Sequence, residues 1–296
     1  MKHPIIILFL MLITCIGFSQ DTTSSTTAPA EKDKRPVKSP FESGIMINSQ
    51  TVEIPTAKTL EFEISHRFGT MESGISDLYG IFGSANSRLA LNFSILKTLQ
   101  VGFGTTRFDK LQDFNMKWNI LSQTRSGNIP LFVSYYTDMA INAGPKDDFD
   151  KFVHRLSFFH EIILARKINE MFSVQVSSSI SHINFADTTT FKGLSNDNIG
   201  VSASGRVKFT PQTSLIFEYI HPLTTRDGGN PKPDIGIGVE IATSAHAFQI
   251  FLSSYGGLNS QKDVVFNTND FTKIGDGKKG PKGIMIGFNI TRLWNL

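Results

Sequence analysis

From Thr59 to the end of the chain, apolar and polar residues alternate with period two, and such runs recur about twelve times. In TLEFEISHRF, Leu60, Phe62, Ile64 and Phe68 share one face, while Glu61, Glu63, Ser65 and Arg67 share the other. SRLALNFSI sets Leu89, Leu91, Phe93 and Ile95 against Arg88, Ala90, Asn92 and Ser94, and FNMKWNI opposes Phe114, Met116, Trp118 and Ile120 to Asn115, Lys117 and Asn119. LQVGFGTTR, LFVSYYTDMA, RLSFFHEIILA, FSVQVSSSISHI, IGVSASGRVKF, SLIFEYIH, DIGIGVEIA, HAFQIFLSS and GIMIGFNITRLWNL continue the pattern. Successive side chains of an extended strand point to opposite faces, so each run reads as a strand with one apolar face.

A water-soluble sandwich would also alternate, and the connections decide between the two. Short links (LKT, TRSGN, RKINE, TPQT, TSA) are interleaved with long ones at 69–87, 108–113, 141–151, 184–198, 222–233 and 255–282. Strict short-long alternation belongs to an up-and-down barrel, with tight turns at one end and free loops at the other. Each run holds roughly 9 to 11 residues, enough for a tilted crossing of a bilayer. The predicted class is all-β: an antiparallel transmembrane β-barrel of about twelve strands, residues 59–296, whose first strand pairs with its last because closure leaves no unpaired edge. In the closing run, Ile284, Ile286, Phe288 and Ile290 are expected to face lipid, and Met285, Gly287, Asn289 and Thr291 to face inward.

The N-terminal end adds an address. MKHPIIILFLMLITCIGFSQ has the layout of a secretory signal peptide, with Lys2 and His3 before an apolar run and small residues at the cut, placed after Ser19. The only cysteine, Cys15, lies inside that segment, so the exported chain has no thiol for disulfides, metal ligation or nucleophilic attack. Leu12 to Cys15 is close to a lipobox with Thr14 at a position that favours smaller residues. Residues 20–43, rich in Ser, Thr, Pro and charge, read as a disordered periplasmic linker. Residues 44–58, with modest apolar content and Pro55, read as an ordered lead-in or plug element rather than a strand.

The formal charge of +3, from 29 basic and 26 acidic residues spread along the chain, argues against nucleic acid as a partner. No later run approaches the roughly 18 to 20 apolar residues of a spanning helix. NFS and NIT match glycosylation acceptors, but inside strands of a bacterial barrel the match carries nothing. The Gly-rich stretches DGGNPKPD and GDGKKGPKG lack the full phosphate-loop pattern and read as loops.

The blocks EFEISHRFG, LQVGFG, AHAFQIFLSS and GFNITRLW resemble those of an uncharacterised family of bacterial outer-membrane β-barrel proteins, over residues 44–296. Where that family tends to have Gly before the His, this chain has Ala245. The resemblance implies an outer-membrane barrel of a Gram-negative-type envelope and names no activity.

The candidate site is the inward face. Its predicted charges are Glu61, Glu63, Arg67, Arg88, Lys117, Arg155, Glu161, Arg206, Lys208, Glu218 and Glu240. Such charges can pair across a narrow lumen and hold it shut. They can also form a constriction that selects solutes, or supply a carboxylate pair for catalysis. Histidines are the remaining candidates: counting from the RKINE turn sets His154 nearly opposite His182, which is too few ligands for a stable metal site. Ser178 or Ser181 beside His182 would be the hydrolase variant acting on lipid, although no Gly-x-Ser-x-Gly elbow is present. No catalytic residue, metal or cofactor is assigned. The expected function is a small channel or scaffold with a charged lumen for small polar solutes, with outer-membrane lipid and the barrel-insertion machinery as partners. A lipid enzyme and a structural partner of an envelope complex are the alternatives.

Overall fold

The computed structural model describes residues 33–276 and 280–296. The signal peptide, Cys15, the first part of the linker and Gly277 to Lys279 of the second Gly-rich stretch lie outside the described residues. Lys34–Leu296 forms one compact unit.

Two very short strands come first, β1 (Ile45–Met46) and β2 (Ser49–Gln50), paired as a hairpin. Twelve longer strands follow. They are β3 (Thr59–Thr70), β4 (Asn86–Leu96), β5 (Leu99–Thr106), β6 (Leu111–Leu121), β7 (Phe132–Asn142), β8 (Leu156–Lys167), β9 (Phe172–Ile183), β10 (Asp197–Lys208), β11 (Thr213–Pro222), β12 (Asp234–Ala242), β13 (His246–Ser253) and β14 (Met285–Asn295). Each pairs antiparallel with its neighbour in sequence, and β14 pairs with β3 to close the barrel. At the seam Ile290 lies opposite Ile64, Asn289 opposite Ser65 and Trp294 opposite Leu60, with a register shift between Met285 and Gly287. The expected up-and-down barrel and its closing pair are present.

The period-two pattern sorts the side chains. On β3, Glu61, Glu63, Ser65 and Arg67 are buried inside the barrel, while Leu60, Phe62, Ile64 and Phe68 are only half-buried on the outside. The outer wall is an apolar surface, as hydrocarbon demands of a barrel. Among the described residues no helix is long and apolar enough to cross a membrane.

Four sequence expectations need correction. The alternation of loop lengths is not strict: β5 and β6 are joined only by 107–110, while 122–131 make a long connection at the short-turn end. The reason is that β6 starts three residues earlier than its apolar run, at Leu111, which is itself buried inside. Order begins within the stretch read as linker, since Val37 N–H donates to Gln123 O (2.8 Å) and Arg125 N–H to Arg35 O (3.0 Å). The 44–58 segment, read as strandless, contains β1 and β2. Ile284 precedes β14 and is buried rather than facing lipid, its carbonyl accepting from Met71 N–H.

The core lies inside the barrel. Phe41, Met46, Ile47 and Val52 of the N-terminal segment pack against Phe132, Tyr136, Phe159, Ile163, Ala165, Ile216 and Phe251 of the wall. Strand β8 is therefore apolar on both faces over Phe158 to Ala165, except at His160 and Glu161.

Candidate functional site

The N-terminal segment enters the lumen from the short-turn end. Pro36 bridges Thr124 of the 122–131 connection. Beyond it Glu42 meets Arg206 (3.0 Å) and Lys208 (2.7 Å). At Gly44 a Cβ would stand 3.3 Å from both Glu61 Oε1 and Lys117 Nζ. Glycine there lets the backbone approach the wall, and Lys117 Nζ donates to Gly44 O at 2.8 Å.

The hairpin tip is held mainly through its backbone. Gln249 acts at two points, donating to Ile45 O (2.9 Å) and accepting from Ile47 N–H (3.1 Å). Arg67 Nη2 (2.8 Å) and Asn289 Nδ2 (2.9 Å) donate to Ile47 O. Glu218 accepts from Asn48 N–H (3.1 Å to Oε2) and Ser49 N–H (2.6 Å), and Gln175 donates to Gln50 O (2.7 Å). One side chain takes part in a comparable way: Asn48 Nδ2 donates to Asp234 (2.7 Å) and Ser253 (3.1 Å). Ile47 turns the chain with φ +54°, a conformation that is costly for a β-branched residue. It fits because the wall opposite is Gly236, where a Cβ would come within 2.8 Å of Ile47 Cγ2.

A second insert comes from the long-loop end. Helix α1 (Ser260–Phe266) buries Val264 and Val265 against Ile220 and Leu194. Ser181 Oγ donates to Gln261 O (2.7 Å), and Gln261 Nε2 to Asp138 O (3.3 Å). Gly200 supplies the room, since a Cβ there would overlap Val264 Cγ1.

Between the two inserts lie two cavities of about 20 Å³, each lined by Asn48 and Asp263 and each large enough for about one water. A third, of about 10 Å³, lies lower, beside Gly44 and Lys117. Above α1 the long loops surround a vestibule of about 1000 Å³ whose walls include Phe149, Phe185, Phe191, Tyr255 and Phe266.

The inward charges fall as follows. Glu61, Glu63, Arg67, Arg88, Lys117, Glu161, Arg206, Glu218 and Glu240 are buried inside the barrel, and Lys208 is half-buried near the short-turn end. Arg88 joins Glu63 (3.0 Å) to Asp113 (2.6 Å), Gln100 donates to Glu61 (2.6 Å), Gln249 to Glu240 (2.9 Å), and Ser177 to Glu161. Arg155 is not on the wall. The chain has left the ladder there, and its guanidinium donates to the carbonyls of Asn142, Gly144 and Pro145 and lies over Phe149 (4.6 Å). Asp113, Asp138 and Asp234 are also buried inside but were not singled out from the sequence. Each sits an even number of residues from an inward neighbour, so applying the strand phase to every residue of its strand finds them.

On the two inserts, three carboxyls are displaced. Burial, reinforced by Glu61, pushes Glu53 up to about 7 against the pull of a Ser39 hydrogen bond and Lys117. Burial raises Asp263 well above its ordinary range, with Asp234, Glu218 and Glu161 adding to it and Arg67 opposing. At Glu42 burial is outweighed by the Lys208 hydrogen bond and the charges of Arg206 and Lys208, so its carboxyl lies below the ordinary value.

The histidine pair and the serine site are not assembled. His182 lies opposite Phe158 and its Nδ1 is hydrogen-bonded to Asp197 Oδ1 (2.7 Å), while His154 stacks on Phe185. Ser178 is four residues from His182 along one strand, roughly 13 Å, and Ser181 is buried on the opposite face.

A family model for a membrane-bound β-barrel domain (DUF5777) matches residues 41–294, which takes in the hairpin as well as every strand of the barrel. The chain belongs to this family. The matched region of this chain therefore includes the lumen insert, and this chain is a membrane-bound β-barrel. Among solved structures, it is similar to the COG4313 outer membrane channel from Pseudomonas putida F1, at 12% identity, TM-score 0.49, and coverage of 82% of this chain and 97% of that one. It is also similar to the NanC porin (6%, TM-score 0.48, 80% and 99%) and the KdgM porin (4%, TM-score 0.45, 80% and 99%). No curated protein matches the sequence.

Proposed function

We propose that this barrel resides in the outer membrane of a Gram-negative-type envelope and is a channel for small polar solutes. The lumen is its path, and the hairpin and α1 are its closures in the resting conformation. The observation that carries the reading is the polarity of the seam between hairpin and wall. Lys117, Gln249, Arg67, Asn289, Glu218 and Gln175 bond the hairpin's backbone.

Charged and amide groups buried against a plug that never moves carry a desolvation cost that apolar packing would avoid. A wall of charged and amide groups instead suits a lumen that is sometimes wet. When the hairpin leaves, water takes over its hydrogen bonds, each worth only about 1 kcal/mol net. The apolar patch of Phe159, Ile163, Ile216 and Phe251 then supplies the bias toward the closed state. In this reading the outer face meets outer-membrane lipid, the short turns face the periplasm, and β14 is the segment offered to the barrel-insertion machinery.

Planar-bilayer recording tests the proposal. The native chain should be mostly silent with rare discrete steps, and a Glu218→Ala, Gly236→Val, Gly200→Ala triple variant, which loosens both closures, should open far more often. A triple variant that inserts, keeps its strand content and never conducts would leave the barrel as a closed scaffold and end the channel reading.

A further inference from the structure

We infer that the solute class this lumen accepts is the short peptide, and that the resident hairpin is an intramolecular copy of it. The inference rests on the channel reading for its physiological meaning, but its physical basis is the way the wall reads the hairpin. From Gly44 to Gln50 the wall bonds seven peptide groups and one polar side chain, Asn48, which donates to Asp234 and Ser253 and accepts from Arg67 (2.8 Å). The carbonyls of Gly44, Ile45, Ile47 and Gln50 receive Lys117, Gln249, Arg67 with Asn289, and Gln175, while the amides of Ile47, Asn48 and Ser49 are taken by Gln249 and Glu218.

Gln249 is the most discriminating of these. Its amide donates to one carbonyl and accepts from the N–H two residues later, the spacing at which one edge of an extended strand presents a carbonyl and an N–H. A sugar has no such fixed donor-acceptor pair. The groups are also placed in advance: Gln249 is oriented by Glu240 (2.9 Å) and by Asn289 (2.9 Å), and Asn289 in turn by Arg67 (3.0 Å). They are held by one another as well as by the hairpin, so they keep their geometry once it leaves. Two carboxylates near the tip, Glu218 and Asp234, add a preference for donors, and Arg67 and Lys117 a preference for carbonyls. A peptide is the small polar solute that carries both along one line.

The experiment uses the full chain, with a protease site inserted between Thr56 and Ala57, both of which are exposed. The protein is folded, placed in a bilayer and cleaved, so that the hairpin fragment can dissociate. Capped tetra-alanine and maltotriose are then added separately as blockers of the ionic current. Tetra-alanine should dwell about tenfold longer than maltotriose, the equivalent of one or two net hydrogen bonds, and Gln249→Leu should abolish the difference. Equal dwell times, or a difference that survives Gln249→Leu, would overturn the inference while leaving the channel intact. If the cleaved barrel never conducts, even with Gly200→Ala added to loosen α1, the channel reading fails. Peptide recognition is then judged by displacement of a fluorescent 41–54 fragment in detergent: release by capped tetra-alanine and not by maltotriose supports it, and equal release by both refutes it.

Discussion

The two inserts that close this barrel are seated by opposite chemistry. The hairpin is bonded through backbone groups to charged and amide side chains on six strands, β3, β6, β9, β11, β13 and β14. Helix α1 is seated through Val264 and Val265 on an apolar patch, with few hydrogen bonds, and it carries Asp263 toward Asp234, Glu218 and Glu161. Both use the same device for closeness, a wall glycine under a branched side chain: Gly236 under Ile47 and Gly200 under Val264. The difference teaches that the hairpin is the specific closure, defined by directional bonds, and α1 the looser one, held by non-directional burial and opposed by the burial of its own Asp263 carboxyl.

The largest expected effect is at Glu218. Glu218→Ala leaves the amides of Asn48 and Ser49 without their acceptor, at a cost of about 3 kcal/mol. Hydrogen exchange at these two amides should rise about 100-fold, with little change in α1. Gly236→Val comes next, because its side chain invades the space of Ile47 and overpacking of this kind costs about 2 kcal/mol; exchange should rise throughout 44–50. Gly200→Ala is the counterpart on α1, at about 1 kcal/mol, and should raise exchange in Ser260–Phe266 alone. If either glycine variant loosens both inserts equally, the two are one cooperative plug and the contrast between them is lost.

The barrel was legible in the sequence because its cause is local. Period two in Glu61, Glu63, Ser65 and Arg67, repeated from run to run, fixes which face is inside without any knowledge of what lies opposite. The same parity, applied to FSVQVSSSISHI and HAFQIFLSS, also turns the backbone-binding residues Gln175 and Gln249 inward, as it does Asn289. It failed where the cause is not local. Leu111 and Asp113 extend β6 because Asp113 pairs with Arg88, and Arg155 leaves the wall because nearby loop carbonyls claim it. The hairpin's place in the lumen was open for the same reason: MINSQ has no strong strand pattern, and its partners are spread over the barrel. The double apolar face of β8, with Phe159 and Ile163 turned inward, was the available signal that something apolar sits inside.

A last effect, spread over several pH units, separates two glutamates on the hairpin segment. Glu53 holds its proton more tightly when seated, at about 7 against an ordinary 4.5, so its contribution to seating is complete below about pH 4.5 and is lost as pH rises toward 7. Glu42, whose carboxyl is lowered by Lys208 and Arg206 despite its burial, works the other way: its contribution is present above the ordinary value and lost as pH falls through the lowered one. Hairpin exchange, corrected for the intrinsic rate, should therefore be slowest in a window near pH 4.5 to 5 and rise on both sides. Glu53→Gln should flatten only the alkaline side and Glu42→Gln only the acid side. Because α1 carries neither residue, its own profile should keep its shape in both variants; a matching change there would mean that protonation of the hairpin segment is felt across the whole lumen.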